Sequence, residues 1–259
     1  MINSNRYTLI TGGSDGIGFE LATIYAKNKK NLIIVAKNEN KLKNVKTKFE
    51  NEYGISVEII QCDLSVDKGY EKIIQVVEEK NFAVDNLINN AGIGSFGFLH
   101  DLEDGLEEKI ININIVALTM LTKYFSRKMI EIRQGGILNV ASTAAFIGGP
   151  KMSIYYSSKA YVLSLTEAIH DELKGLGIRV SCLCPGPVKT SFQEKAGIKK
   201  SEKSKRYLMD ASDIAQCAYR EFAMGKAIII PGYKNKLLIL GNKLIPRALS
   251  RRIILKNNS

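Results

Sequence analysis

The sequence predicts a single α/β domain, a doubly wound and mostly parallel sheet of seven strands with helices on both faces. Three observations lead there. Short apolar runs rich in β-branched residues recur seven times along the chain. The longer stretches between them carry the 3.6-residue periodicity of amphipathic helices, which is the signature of repeated βαβ units. At 259 residues, with no internal repeat and no low-complexity linker, the chain has the length for one large core.

Taken in order, the first run is Tyr7–Thr11, and it leads into Gly12-Gly13-Ser14-Asp15-Gly16-Ile17-Gly18. Helical periodicity follows from Phe19 to Lys29. Strand, glycine-rich turn and helix together form a phosphate-binding context, because glycines let a pyrophosphate approach the backbone and the helix N-terminus presents unpaired N–H groups. The second run, Asn31–Ala36, ends at Lys37-Asn38; the third, Val57–Gln61, at Asp63-Leu64, with a helix expected from near Ser65 and Asp63 as its cap. The fourth run, Asp85–Asn89, precedes Asn90-Ala91-Gly92, and the fifth, Gly136–Ala141, precedes Ser142. The sixth, Ile178–Cys184, precedes Pro185-Gly186, and the seventh is Ala227–Pro231. In such sheets ligands bind beyond the carboxyl ends of the strands, which is where all these short motifs fall. Residues 1–232 are therefore expected to form the dinucleotide-binding and catalytic domain, with 233–259 a basic amphipathic extension of it.

Tyr155 and Lys159 carry the candidate chemistry. Four residues apart on a helix, they share one face. A phenol with a pKa of about 10 is a poor base at neutral pH, and a neighbouring cation is expected to lower that value. Tyr156 lacks this partner, since Ala160 stands four residues on. Ser142 lies upstream, where it serves either as a helix cap or as a hydrogen-bond donor above the sheet.

Thr11-Gly12, Gly16, Gly18, Asn89-Asn90-Ala91-Gly92, Asn114, Ser142, Tyr155, Lys159 and Pro185-Gly186 occur in one order at compatible spacings. Together they resemble the short-chain dehydrogenase/reductase family over roughly residues 5 to 232. The resemblance implies a Rossmann-type fold and an NAD(P)-dependent oxidoreductase acting between carbonyl and alcohol. It implies Asn114, Ser142, Tyr155 and Lys159 as catalytic residues, with Tyr155 the proton donor and Asn114 maintaining a water relay to the lysine. Cofactor contacts are implied for Gly12, Ser14, Asp15, Gly16, Ile17, Gly18, Lys37, Asp63, Leu64, Asn90, Ala91, Gly92, Tyr155, Lys159, Pro185, Gly186, Val188 and Thr190. By the same similarity, Ala36 stands where NAD-using relatives carry Asp and Lys37 where NADP-using ones carry a basic residue. NADP(H) is thus the expected cofactor, NAD(H) the alternative; Asp15, where many NADP-using relatives carry Arg or Ser, points the other way. Homodimers or homotetramers through the helices of Asn114 and Tyr155 are expected. The rival readings are an NAD-dependent alcohol dehydrogenase and a dinucleotide-binding scaffold without turnover. Phe96, Phe98, Phe146, Met152 and Phe192 are expected to line a pocket for a hydrophobic carbonyl compound, such as a 3-oxoacyl or other lipid substrate.

Composition narrows the setting. Only His100 and His170 are present and Cys62, Cys182, Cys184 and Cys217 show no C-x-x-C spacing, so no metal site is expected. No apolar run approaches membrane-spanning length and no signal precedes the first strand, which predicts a cytoplasmic protein. The net charge of +11 is concentrated in two places: 199–206, and the segment from Gly225 to the end, with eight Lys/Arg and no acid. Pro246 divides the latter into two amphipathic pieces, Leu237–Leu244 and Leu249–Leu255 supplying the leucines and isoleucines. Such a stretch either packs on the body as an interface or lid, or lies on a membrane surface. Beyond Tyr233, no aromatics interleave with its cations as a nucleic-acid site would require.

Overall fold

In the computed structural model, which describes residues 5–197 and 208–258, all seven apolar runs become strands of one parallel sheet. They are β1 (Arg6–Thr11), β2 (Asn31–Ala36), β3 (Val57–Gln61), β4 (Ala83–Asn89), β5 (Gly135–Val140), β6 (Ile178–Leu183) and β7 (Ile228–Ile229), in the order β3-β2-β1-β4-β5-β6-β7. Described helices are α1 (Gly16–Lys27), α2 (Glu39–Tyr53), α3 (Glu71–Glu79), α4 (Leu106–Ile111), α5 (Leu118–Ile132), α6 (Ser153–Lys174), α7 (Phe192–Lys195), α8 (Ala211–Ala223), α9 (Tyr233–Leu244) and α10 (Arg247–Asn257). The basic cluster at 199–206 lies outside the described residues.

The unbroken apolar runs follow from burial on both faces of the sheet. The two-residue period of each strand sends Ile10, Leu32, Ile34, Ile88 and Leu138 into one core with α1, α2 and α8. Their neighbours Leu9, Ile33, Leu87, Ile137 and Val180 enter a second core beneath α3, α5 and α6. The register Leu9↔Ile33 and Leu9↔Leu87 keeps like faces together across three strands. Strand order reverses between β1 and β4, and the crevice above that junction holds the motif-bearing turns.

Two expectations are corrected. No helix starts near Ser65: Asp63 Oδ1 instead accepts from the Ser65 N–H at 3.0 Å and closes a local turn, and α3 begins only at Glu71. The seventh strand is two residues long, because β6 runs beside only Ile228 and Ile229 and Pro231 has no N–H to extend the ladder. Between α4 and α5 the chain stays helical through a π-helical segment, Asn112–Ala117, which holds Asn114. Such segments commonly mark functional positions.

Candidate active site

A cleft of about 550 Å³ opens above the carboxyl ends of β1, β2, β4, β5 and β6. Every residue for which the resemblance implied cofactor contact lines it except Gly18, which lies beneath the turn. Ser142, Tyr155 and Lys159 line it as well; Asn114 is fully buried behind the wall.

The glycine turn is built by steric necessity. Gly12 and Gly16 have φ of +65° and +55°, a region that side chains disfavour. At Gly18 an added Cβ would stand 2.4 Å from both Asn90 Nδ2 and the Gly12 carbonyl. That proximity lets Asn90 tie the turn to β4, donating from Nδ2 to the carbonyls of Thr11 at 3.0 Å and Gly12 at 3.1 Å. Thr11 Oγ1 completes the seam by accepting from the Asn90 and Ala91 N–H groups. This threonine was not anticipated as a site residue, although the Y-T-L-I-T run placed it at the strand end. Asp15 caps α1, accepting from Gly16 N at 2.8 Å, and pairs with Lys41 at 2.8 Å. The Lys41 hydrogen bond holds its carboxyl below the usual range despite partial burial.

At the far end of β2, Lys37 Nζ pairs with Asp63 Oδ2 at 2.6 Å while its side chain stays 77 % exposed. Burial opposes ionisation of Asp63, but hydrogen bonds from Lys37 and Ser65 prevail and bring its pKa down to about 2. The two residues implied as adenosine contacts thus form one ion pair on the rim.

On α6, Lys159 Nζ donates to the Val140 carbonyl at 2.8 Å and stands 5.9 Å from the centre of the Tyr155 ring. Burial lowers the lysine to about 8. Burial also pushes the Tyr155 phenol up to about 12, with the Ser142 hydroxyl opposing the rise and Tyr156 adding to it. The expectation that Lys159 depresses the phenol pKa is therefore corrected. Its ammonium is directed at the Val140 carbonyl, and both groups lose solvation together. Ser142 takes the capping role: Oγ accepts from Ala144 N at 3.1 Å and donates to the Pro185 carbonyl at 3.5 Å, while lying near enough to the phenol to oppose the rise in its pKa.

Asn114 reaches the cleft indirectly. Its Oδ1 accepts from Ile93 N at 3.0 Å, and its Nδ2 donates to the Ile93 carbonyl at 3.0 Å and to Ser158 Oγ at 2.9 Å. The site of a Cβ on Gly92 lies 3.2 Å from both Asn114 Oδ1 and Lys159 Nζ. That open cradle beside the lysine, the positive-φ turn at Gly12–Gly16 and the exposed cation at Lys37 suit a dinucleotide laid along the cleft.

The aromatic expectations divide. Phe192 packs on Tyr155 with ring centres 5.4 Å apart, and Met152 joins the same apolar cluster with Phe96. Phe98 instead stacks on His100 at the surface, and Phe146 faces a different cavity. Loop direction decided this, which residue type alone does not reveal. Among the described residues no cluster of His, Cys, Asp or Glu could hold a metal, and no helix is long and apolar enough to cross a membrane.

Comparison with known proteins agrees with this geometry. The family model described as short chain dehydrogenase matches residues 6–201. A very-long-chain 3-oxoacyl-CoA reductase-like protein of Arabidopsis thaliana is 36% identical over 200 residues, covering 75% of this chain and 64% of that protein. The 3-oxoacyl-[acyl-carrier-protein] reductase of Rickettsia prowazekii is 32% identical, covering 77% of this chain and 79% of that one. A short-chain dehydrogenase from Sphingobium yanoikuyae, solved in complex with NADPH, superposes with a TM-score of 0.82 at 28% identity over 88% of each chain. The chain belongs to the short-chain dehydrogenase family, a class of oxidoreductases.

Proposed function

We propose that this protein is an NADPH-dependent reductase that converts a hydrophobic ketone or aldehyde, of the 3-oxoacyl type, into the alcohol. The observation that carries the reading is the convergence of Ser142, Tyr155 and Lys159 on one wall of a cleft whose other end is the glycine turn. A nicotinamide dinucleotide bound here supplies the hydride.

The chain's own groups supply the proton and the orientation. With its pKa near 12, Tyr155 is neutral throughout the physiological range, the form needed in a general acid that donates to a substrate carbonyl oxygen. Ser142 Oγ would donate to the same oxygen and stabilise the charge that develops there. Lys159, held by Val140, would lend positive charge and hold the nicotinamide ribose. Asn114 acts by positioning, locking the Ile93 backbone and hence the Gly92 cradle. Gly12, Gly16, Asn90 and Ala91 would hold the pyrophosphate end, and Lys37 a 2′-phosphate, which supports NADPH over NADH.

Three features support a hydrophobic substrate: Met152 and Phe192 in the cleft wall, the apolar packing of Phe192 on Tyr155, and two relatives named as 3-oxoacyl reductases. We further assign self-association to the faces of α5 and α6, where Tyr161 and Ile132 are exposed. The test is loss of NADPH absorbance with 3-oxoacyl thioesters, ketosteroids, aromatic ketones and small aldehydes, each repeated with NADH. Turnover of an acyl substrate with NADPH is expected. Tight dinucleotide binding without turnover anywhere in the panel would instead favour a non-catalytic scaffold.

A further inference from the structure

A second cavity, of about 420 Å³, lies between the Phe146–Gly148 loop and the C-terminal helices, and shares no lining residue with the catalytic cleft. Its wall holds Lys243, Arg247 and Arg251 together with Ser250. Ser250 is only 3 % exposed, yet its hydroxyl has no hydrogen-bond partner. A buried hydroxyl left in this way is costly unless a ligand completes it. The cavity also meets the start of α10, an eleven-residue helix whose N-terminus follows Pro246 and has no side-chain cap. Three cations, an unpaired donor and an uncapped helix start all favour an anion with several acceptor oxygens.

The surroundings say what carries that anion. No acid occurs from Gly225 onward, and Lys243, Arg247 and Arg251 at the cavity make no ion pair among the described residues. Beside the cavity, Leu240, Leu244, Leu249 and Ile253 are 58 %, 82 %, 50 % and 45 % exposed. A second copy of the chain docked by this face would set cation against cation, which disfavours a symmetric contact. Exposed leucines beside Lys243, Arg247 and Arg251 match an anionic bilayer surface, where apolar groups enter the acyl boundary and cations meet the phosphates.

We propose that this cavity is a phospholipid-headgroup site, through which the α9–α10 face docks on anionic membranes. Lys243, Arg247 and Arg251 neutralise the phosphate, Ser250 Oγ donates to it, and the leucine face takes the first part of the acyl chains. Arg251 lies against Gly148, whose added Cβ would be 3.3 Å from its Cδ, and Asn258 Nδ2 donates to the Pro150 carbonyl at 2.9 Å. The docked face thus abuts the loop that leads from Ser142 to Tyr155, which would present an active site to substrates arriving from the lipid. Docking itself requires no particular substrate.

The test is vesicle flotation of the full-length protein with saturating dinucleotide, using phosphatidylcholine alone and phosphatidylcholine containing phosphatidylglycerol. Preference for the anionic vesicles is expected, and Arg247→Gln with Arg251→Gln should weaken it by about fivefold per arginine, roughly 25-fold in all. Ser250→Ala, a small change that leaves the fold undisturbed, should weaken anionic-vesicle binding and leave neutral-vesicle binding unmoved. Carbonyl reduction of a soluble substrate should persist in each variant, separating this proposal from the catalytic one. Equal binding to both vesicles, full binding by the double-arginine variant, or inorganic phosphate displacing the protein at micromolar concentration would overturn it.

Discussion

At the scale of single residues, the site depends on protonation states that burial sets. Tyr155→Phe should leave dinucleotide affinity nearly intact and lower turnover by about 10²- to 10⁴-fold, the range for losing a general acid; steady-state rates beside binding titrations would check this. Lys159 offers a pH test. Its folded pKa of about 8 lies below the ordinary 10.5, so its contribution to stability is complete above 10.5 and is lost as pH falls through 8. The melting temperature of the dinucleotide-free protein should therefore rise by a small step between pH 8 and 10.5, and Lys159→Met should abolish the step. Lys37 is exposed, so its effect belongs at the low end for a charge-assisted bond, about tenfold. Lys37→Ala should raise the KM for NADPH by about that factor and leave the KM for NADH unchanged; an equal change in both would reduce Lys37 to the partner of Asp63. Tyr155 and Lys159 were legible as residue types at a spacing, and Lys37 through the family resemblance. That Lys37 pairs with Asp63, and that the lysine leaves the phenol pKa high, was not legible, because both depend on distances between separate elements.

At the scale of elements, the turn between β1 and α1 is the least tolerant part of the molecule. Gly→Ala within a helix ordinarily stabilises by roughly 0.5–1 kcal/mol. At Gly18 the new Cβ would meet the Gly12 carbonyl at 2.4 Å, so Gly18→Ala should destabilise and should weaken dinucleotide binding more than it lowers the melting temperature. The π-helical segment is equally specific. Asn114→Ala strands the part-buried Ile93 N–H and carbonyl, each at a cost toward the low end of the range for an unsatisfied buried group, about 1–3 kcal/mol. Conservative Asn114→Gln should fail to rescue turnover, because a longer side chain cannot meet both Ile93 groups and Ser158. Strand positions were readable to within two residues, since the buried runs are continuous. The π-helical segment was invisible to periodicity, because its extra residue alters the helix without altering the apolar pattern.

At the scale of the whole molecule, seven parallel strands share two cores, one on each face, and this joins the glycine turn to α6 in one body. A buried ladder runs through it. Asn89 donates to Thr122 Oγ1 and Asn139 Oδ1, and Asn139 donates in turn to Thr166 Oγ1, linking β4, β5, α5 and α6. The C-terminal helices attach lightly by contrast, with Ile239 their sole buried apolar side chain among the described residues. Deleting residues 247–259 should leave one cooperative melting transition and an intact catalytic cleft, whereas loss of the whole transition would mean that α10 belongs to the core. The sequence showed Pro246 breaking the tail in two, but its periodicity was equally consistent with a packed lid; exposure of the leucines is a property of the assembled surface.

The sequence by itself determined the fold class, the strand positions and the identity of the cleft-lining motifs. Those features arise from local rules: strand period, glycine backbone freedom and the four-residue face of a helix. Tertiary structure decided which loop aromatics face the cleft, that Asp63 serves Lys37 and a tight turn rather than a helix, that Asn114 bonds Ile93 and Ser158, and that Ser250 is buried without a partner. Each of these is a contact between segments distant in the chain. Whether such segments meet depends on how the two faces of the sheet are covered, which no local pattern encodes.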